Sequence, residues 1–260
     1  MKSLYLCLRS EFYKSRKRLS FWISILLPLT ICSLIALGFM FNPAGLLKLK
    51  PTPQMLWITY SGGALALMGT LILPFYVVFI AFSVNNIEHK NDTWKALFTL
   101  PINKLSIYSG KFLFAVALIF ICLFLFAAFT CISGILLSVF IPAYKFNLYN
   151  PIGFLAETYF KLFLASLGIL SVQMMFSLIW SDFLKPMGLG FIGIIIAIVA
   201  AAKRWEYAYL IPYGQPIRAF TEGKLSGHNG LFTQSIWASL CCAILFFAIG
   251  YFYVTRRNIK

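Results

Sequence analysis

Long apolar stretches separated by short polar segments dominate this chain. Six runs lack Lys, Arg, Asp and Glu and approach the roughly 20 residues that a helix needs to cross the hydrocarbon core of a bilayer. They are residues 21–41, 57–84, 112–141, 162–180, 187–202 and 231–254. The fifth run has only 16 residues and is short for a full crossing unless its flanks extend it. The pattern predicts an all-α integral membrane protein with six transmembrane helices in one domain over residues 1–260.

The second and third runs are longer than a crossing requires. Tilting, extension beyond the bilayer, or kinking at Gly69 or Pro74 would accommodate the excess length of these helices.

The composition agrees with a membrane location. Apolar residues make up 61% of the chain and charged residues 11%, which leaves too little polar surface to cover a soluble globule and excludes a soluble enzyme. The six cysteines show no CxxC spacing, and five lie inside apolar runs, so we expect neither a disulfide framework nor a zinc site.

The distribution of basic residues predicts the orientation. The net charge of +15 fits loops that face an anionic cytoplasmic leaflet better than it fits nucleic-acid binding. Fourteen of the 22 Lys and Arg residues fall in the N-terminus, alternate loops and the C-terminal tail. We therefore expect both termini and the loop 85–111 to lie in the cytoplasm.

The first 20 residues form a basic segment that is too long for a cleavable signal peptide, so we expect it to stay attached. Leu4, Leu8, Phe12 and Leu19 recur at roughly helical spacing among basic residues. This pattern favours a helix lying in the headgroup region. A basic flank that only sets the orientation is an equally good interpretation.

Two motifs resemble nucleotide-binding sequences without their context. Gly188, Gly190 and Gly193 spell GxGxxG, but they lie inside an apolar run instead of following a soluble strand, so close helix packing is the better interpretation. No Walker A pattern is present, because Phe112 follows Gly110-Lys111 where Ser or Thr is required. We expect the chain to bind no nucleotide itself.

The centres of the apolar runs contain no ionisable residue of the kind that ion-coupled carriers use as relays. Paired carboxylates, a catalytic histidine and metal ligands are missing there too, so we expect no catalytic residue, cofactor or metal. His89 and His228 fall on opposite sides of the predicted membrane and cannot share a metal. Gln173, which has serines nearby, is the most polar buried point; an interhelical hydrogen bond is favoured over a contact in a substrate pathway.

The loop 85–111 contains a short predicted helix. Asp92 is a good N-cap for a helix that starts at Thr93, and Pro101 disfavours helical geometry at Leu100, so the helix should stop there.

The predicted loop helix has one strongly apolar face. Trp94, Leu97 and Phe98 follow i, i+3, i+4 spacing on a helix that is too short to be stable alone in water. Either this helix packs on the ends of its own spans, or it inserts into a groove of another protein.

This loop resembles that of type 2 ATP-binding-cassette (ABC) exporter permeases. The matching positions are Glu88, Thr93, Trp94, Lys95, Leu100, Pro101, Lys104, Gly110 and Lys111. The N-terminal Glu11-Phe12-Tyr13-Lys14, the closing Arg256-Arg257 and the six spans with both ends inside extend the resemblance over the whole chain. The segment Asn-Asp-Thr-Trp-Lys is similar to the corresponding segment in permeases of lantibiotic and peptide-antibiotic immunity systems.

The resemblance implies a division of labour between subunits. Two six-span subunits, identical or paralogous, form the pathway, and two cytoplasmic ATPase subunits bind ATP and Mg²⁺. The loop helix is then the coupling helix. The residues expected at the ATPase interface are Glu88, Asp92, Trp94, Lys95, Leu97 and Phe98.

The segment 203–230 follows the fifth run on the predicted outer side. It is rich in aromatics and contains Pro212 and Pro216, so it should lie at the interface without crossing, and it resembles the re-entrant helices of the same family. An aromatic belt is favoured over a role in substrate release.

The resemblance implies the permease subunit of an exporter in the bacterial inner membrane, for hydrophobic or amphipathic cargo such as a peptide antibiotic. The alternative is a membrane scaffold or assembly factor that recruits a cytoplasmic partner and transports nothing.

Overall fold

The computed structural model describes residues 2–43, 52–91, 93–99, 101–225 and 231–256. Within those ranges every regular element is helical. Six helices are long and apolar enough to cross a membrane, and we call them the first to sixth spans. They are Leu19–Phe41, Pro53–Lys90, Lys104–Phe140, Ile152–Ile179, Leu184–Ala202 and Gln234–Arg256. The predicted all-α class with six spans is confirmed.

The first five spans begin earlier than the apolar runs predict, the third and fourth by the largest margin. The third starts at Lys104 and contains Lys111, and the fourth starts at Ile152. An uncharged run ends at each charged residue, but a charge can stay inside a helix when an opposite charge neutralises it. In the fourth span Lys161 forms an i,i+4 ion pair of 2.7 Å with Glu157. The short fifth run gains its missing turn at its start, where the helix begins at Leu184.

The second span is irregular at its centre. Two α-helical halves, Pro53–Leu67 and Leu73–Lys90, flank a π-helical turn at Met68–Ile72. Proline has no N–H to donate and clashes with the preceding turn, and a wider turn relieves both problems. The π turn includes Gly69 and ends just before Pro74, so it lies where the sequence predicts a kink.

The second and fourth spans form the centre of the bundle. In the most apolar 18-residue stretch of these two spans, 61% and 67% of the residues are buried. The corresponding fractions are 17%, 28% and 22% in the first, fifth and sixth spans. The outer three spans therefore present apolar side chains to their surroundings, as a membrane protein does toward lipid or another subunit.

One end of the bundle is closed by aromatic side chains, which we call the aromatic clamp: Trp57, Tyr60, Tyr144 and Phe146. The Trp57 indole N–H donates to the carbonyl oxygen of Phe146 at 3.0 Å, and their rings lie 4.8 Å apart. The Tyr144 hydroxyl donates to the carbonyl oxygen of Phe39 at 2.7 Å. These contacts hold the connection after the third span against the first and second spans.

The segment after the fifth span folds into the bundle. It contains two 3-10 turns and a helix, at Glu206–Leu210, Pro212–Gly214 and Gln215–Leu225. The fully buried Gln215 lies against Gly168 near the middle of the fourth span, and the Pro216 carbonyl lies against Gly69 in the π turn. The part of the predicted 203–230 segment at 226–230 lies outside the described residues.

Candidate functional site

An N-terminal helix, Lys2–Ser15, packs along the start of the third span. A β-carbon on Gly110 would lie only 2.8 Å from the β-carbon of Cys7, so the two helices approach closely there. The side chains that the helix buries include Cys7, Glu11 and Ser15. The predicted N-terminal helix is present, and its face toward the bundle carries an acid.

The loop helix occupies Trp94–Thr99, just after the second span. The backbone N–H of Leu97 donates to the Thr93 carbonyl at 2.9 Å and closes the first turn. These bounds lie within the predicted helix. The proposed cap Asp92 and the proposed last residue Leu100 lie outside the described residues.

Trp94 packs on the ends of the chain's own spans. Its side chain is buried and contacts the third, fourth and sixth spans through Tyr108, Leu178 and Val254. The His89 ring makes an edge contact at 5.6 Å, and the Lys111 ammonium lies 5.6 Å from the centre of the Trp94 ring, within cation–π range. Trp94 therefore joins the loop helix to the bundle.

The structure describes only some of the other side chains that are predicted to contact a partner. Leu97 is partly exposed, and Thr99 at the end of the helix is exposed. The side chains of Lys95 and Phe98 lie outside the described part of the structure. A partner that approaches the loop helix would therefore meet Leu97 before Trp94.

Four charged side chains form a cluster beneath the loop helix, which we call the ion cluster: Glu11, Lys14, Glu88 and Lys111. The Lys111 ammonium donates to Glu88 Oε2 at 2.5 Å, to Glu11 Oε1 at 3.1 Å and to the Val84 carbonyl at 3.2 Å. The Lys14 ammonium donates to Glu88 Oε1 at 3.0 Å and to Glu11 Oε1 at 3.3 Å. The ion cluster thus joins the N-terminal helix, the second span and the third span.

The ion cluster is buried and electrically balanced. Glu88, Lys111 and Glu11 are at most 3% exposed. Burying an isolated charge is strongly unfavourable, but two ammonium groups and two carboxylates compensate one another. Burial lowers the pKa of Lys14, but the carboxylates of Glu11 and Glu88 raise it more, so the net pKa lies above the ordinary lysine value. Lys14 therefore keeps its charge at neutral pH.

The ion cluster changes the interpretation of Glu88. From the sequence we expect Glu88 to contact a partner, yet in the structure both of its carboxylate oxygens bond to lysines of the same chain. Its contact with an ATPase remains a prediction, and this conformation offers no exposed surface of Glu88 for it. The resemblance marked Glu11, Lys14 and Lys111 without relating them to one another. One sequence signal was available: Glu11 is an acid flanked at i±4 by the small residues Cys7 and Ser15.

Gln173 lies buried between the fourth and fifth spans. Its side-chain amide donates to the Pro186 carbonyl at 2.9 Å, which is the interhelical hydrogen bond favoured from the sequence. Its Oε1 has no hydrogen-bond partner among the described residues. The structure gives Gln173 a packing role, and a place in a substrate pathway remains a prediction.

Two glycines of the GxGxxG pattern lie at close helix contacts. A β-carbon on Gly190 would meet the Gln173 amide and Val78, and one on Gly193 would meet the Tyr213 ring, whereas Gly188 faces open space. The pattern therefore serves packing at two of its three positions.

An apolar groove of about 560 Å³ runs between the third and fourth spans. Aromatic side chains form much of its wall, including Phe120, Phe124, Tyr159 and Phe160. Such a groove suits an apolar chain or ring, because it offers contact area and few hydrogen-bond partners.

No three His, Cys, Asp or Glu side chains come together to hold a metal ion in the described ranges. The carboxylates of the ion cluster are bonded to ammonium groups, which makes the cluster a structural joint and a poor site for acid–base chemistry.

Comparison with known families identifies the class of protein. A profile of the ABC-2 family transporter proteins matches residues 7–197, about three quarters of the chain. No curated protein matches the sequence. The chain belongs to the ABC-2 transporter family. It is therefore a multi-pass membrane protein of the permease type, a class that works with ABC ATPases and typically has no catalytic activity of its own.

Proposed function

We propose that this chain is the membrane subunit of an ATP-driven exporter and that separate ATPase subunits drive it through the loop helix. Family membership supports the permease role. The observation that carries the proposal is the attachment of the loop helix to the spans through Trp94 and the ion cluster. In this proposal ATP and Mg²⁺ are bound by the ATPase and not by this chain.

The ion cluster gives the loop helix a mechanical connection. Lys111 of the third span contacts both Glu88, at the end of the second span, and the ring of Trp94 in the loop helix. A push on the loop helix would reach the second and third spans through these contacts, and the N-terminal helix through Glu11. Charge pairs are strong in a buried, low-dielectric setting, so this joint resists separation better than an exposed one.

The partner surface in this proposal centres on Leu97, with Asp92, Lys95 and Phe98 beside it. Trp94 anchors the loop helix to its own bundle and lies beneath this surface. The basic residues around the loop and both termini support a cytoplasmic location for it, in the inner membrane of a bacterium.

A second permease subunit, identical or paralogous, would complete the pathway. The first, fifth and sixth spans expose much of their apolar surface and are available for such a contact. The cargo that we propose is hydrophobic or amphipathic, with export of a peptide antibiotic, as in immunity, as the specific case. The apolar groove between the third and fourth spans supports that class of cargo.

The test is whether an ATPase co-purifies with the tagged chain. The chain would be expressed in its native host, extracted in mild detergent and assayed for associated ATP hydrolysis. We expect Leu97→Asp to remove most of the co-purified activity, because it places a charge in an apolar contact; losing a central interface residue commonly costs about 2 kcal/mol, or roughly thirtyfold in affinity.

The matched control is Leu105→Asp, the same substitution at an exposed leucine at the start of the third span. It should keep the ATPase bound, and both variants should elute as folded, monodisperse protein. Retention of the ATPase by Leu97→Asp would contradict the proposed interface. No ATPase with the wild-type chain would favour the alternative of a membrane scaffold or assembly factor that transports nothing.

A further inference from the structure

A second cavity, of about 440 Å³, lies between the N-terminal helix, the end of the second span and the loop helix. We call it the basic pocket. Hydrogen-bond donors line it at Lys14, Arg18, Asn91 and Thr93, and apolar side chains line it at Ile87 and Leu97. The pocket therefore combines cationic and polar donors with a small apolar wall.

Some hydrogen-bond donors that line the pocket have no acceptor among the described residues. Arg18 is half-buried, and its guanidinium makes no hydrogen bond or ion pair with any described residue. Lys14 directs N–H groups to Glu11 and Glu88, which leaves its third donor for a ligand. Glu88 also borders the pocket, but both of its oxygens already accept from lysines. These donors suit the binding of an anion.

The residues that adjoin Arg18 are of the types found at a membrane surface. Arg18 directly precedes the first span, and the neighbouring Leu19 and Trp22 expose large apolar side chains. Phe12 and Trp22 each contact the Phe21 ring, at 5.9 and 6.2 Å between ring centres. Exposed tryptophan and phenylalanine beside arginine at the start of a span are typical of the headgroup level of a bilayer.

We propose that the basic pocket binds the phosphate of an anionic phospholipid headgroup. The planar Arg18 guanidinium can hold two phosphate oxygens, and the remaining N–H of Lys14 can donate to a third. Thr93 and Asn91 can donate to the remaining oxygens, while Ile87 and Leu97 contact the start of the lipid's apolar part. Basic pockets between spans at the membrane surface are known sites for anionic headgroups.

A bound lipid would touch the loop helix directly, because Thr93 and Leu97 both line the pocket. It would tie this helix to the membrane surface. The exposed apolar side chains of Leu19 and Trp22, which follow Arg18 along the chain, favour a lipid over an acidic protein side chain. The inference rests on the pocket and does not depend on the proposed function.

The test uses the purified full-length chain in mild detergent. Thermal unfolding would be followed while phosphatidylglycerol, phosphatidylcholine or inorganic phosphate is added. We expect phosphatidylglycerol to raise the unfolding midpoint and the two other probes to leave it unchanged. Arg18→Gln should weaken the apparent affinity for phosphatidylglycerol about tenfold, since a charge-assisted, two-pronged contact is lost.

Two further variants separate a specific site from general charge attraction. Lys17→Gln makes the same charge change at the exposed neighbouring residue and should weaken binding by less than about twofold. Thr93→Val keeps the charge and shape and should weaken binding about threefold through one lost hydrogen bond.

Three results would overturn the proposal. They are equal stabilisation by phosphatidylcholine, equal losses for Lys17→Gln and Arg18→Gln, and stabilisation by inorganic phosphate that matches the lipid. The last would assign the pocket to a soluble phosphate ligand.

Discussion

The two ends of the helical bundle are held together by different chemistry. At one end the ion cluster joins three helices through four charged side chains. At the other end the aromatic clamp joins its elements through ring contacts and two hydrogen bonds to backbone carbonyls. Both ends are buried, but the ion cluster is held by charged groups, and the clamp is held by rings and neutral hydrogen bonds.

The difference suggests different mechanical roles. Each lysine ammonium has three donors and each carboxylate offers two acceptor oxygens, so the ion cluster can rearrange its pairs while its charges stay compensated. The Trp57 contact of the clamp cannot do this, because the indole has one donor and its acceptor is a fixed carbonyl. We interpret the end with the loop helix as the moving end and the clamp as the fixed one.

The largest effect is expected from breaking the ion cluster. Lys111→Met keeps the length of the side chain but leaves Glu11 and Glu88 with Lys14 alone. Removing one partner of a buried ion pair costs about 3 to 5 kcal/mol, because the remaining charge is uncompensated. The measurement is the free energy of unfolding in mild detergent.

Two controls sharpen this prediction. Lys185→Met removes the same group from an exposed pair with Asp182 and should change the stability by less than about 0.5 kcal/mol. The double variant Lys111→Met with Glu88→Gln removes one charge of each sign and should recover part of the loss. Equal effects of the two single lysine variants would contradict a buried cluster.

A smaller effect is expected at the clamp. Trp57→Phe removes the indole N–H and leaves the Phe146 carbonyl without its donor, at a cost of about 1 to 3 kcal/mol. In the same unfolding assay it should lower stability without affecting co-purification of an ATPase, because Trp57 lies at the opposite end of its span from the loop helix. Loss of the ATPase with this variant would show that the clamp is not a separate, fixed end.

The apolar pattern predicts the six spans and the position of the loop helix well. It places the span starts poorly where charges are involved. Lys111 and Lys161 lie inside helices because Glu88 and Glu157, respectively, neutralise their charges. A count of uncharged residues carries no information about such acidic partners. The irregular turn near Pro74 follows from local chemistry, and it appears where the sequence indicates.

The ion cluster could not be predicted from local pattern. Lys111 is 100 residues from Glu11, and Lys14 is 74 residues from Glu88. Spacing along one helix carries no information about such contacts. Trp94 shows a related limit, since a two-turn helix with one apolar face can turn that face toward its own bundle or toward a partner. Only the packing of the spans decides between them.

In the proposed function, the loop helix, the N-terminal helix and the adjoining span ends respond together to the ATPase. The most direct measurement is peptide-resolved hydrogen–deuterium exchange of the purified complex with its ATPase, comparing ATP–Mg²⁺ with no nucleotide. We predict exchange changes in residues 85–111 and 2–15 together, and no change around the clamp at 57–60 and 142–148. A change confined to the loop helix, or one that is as large at the clamp, would contradict this coupling.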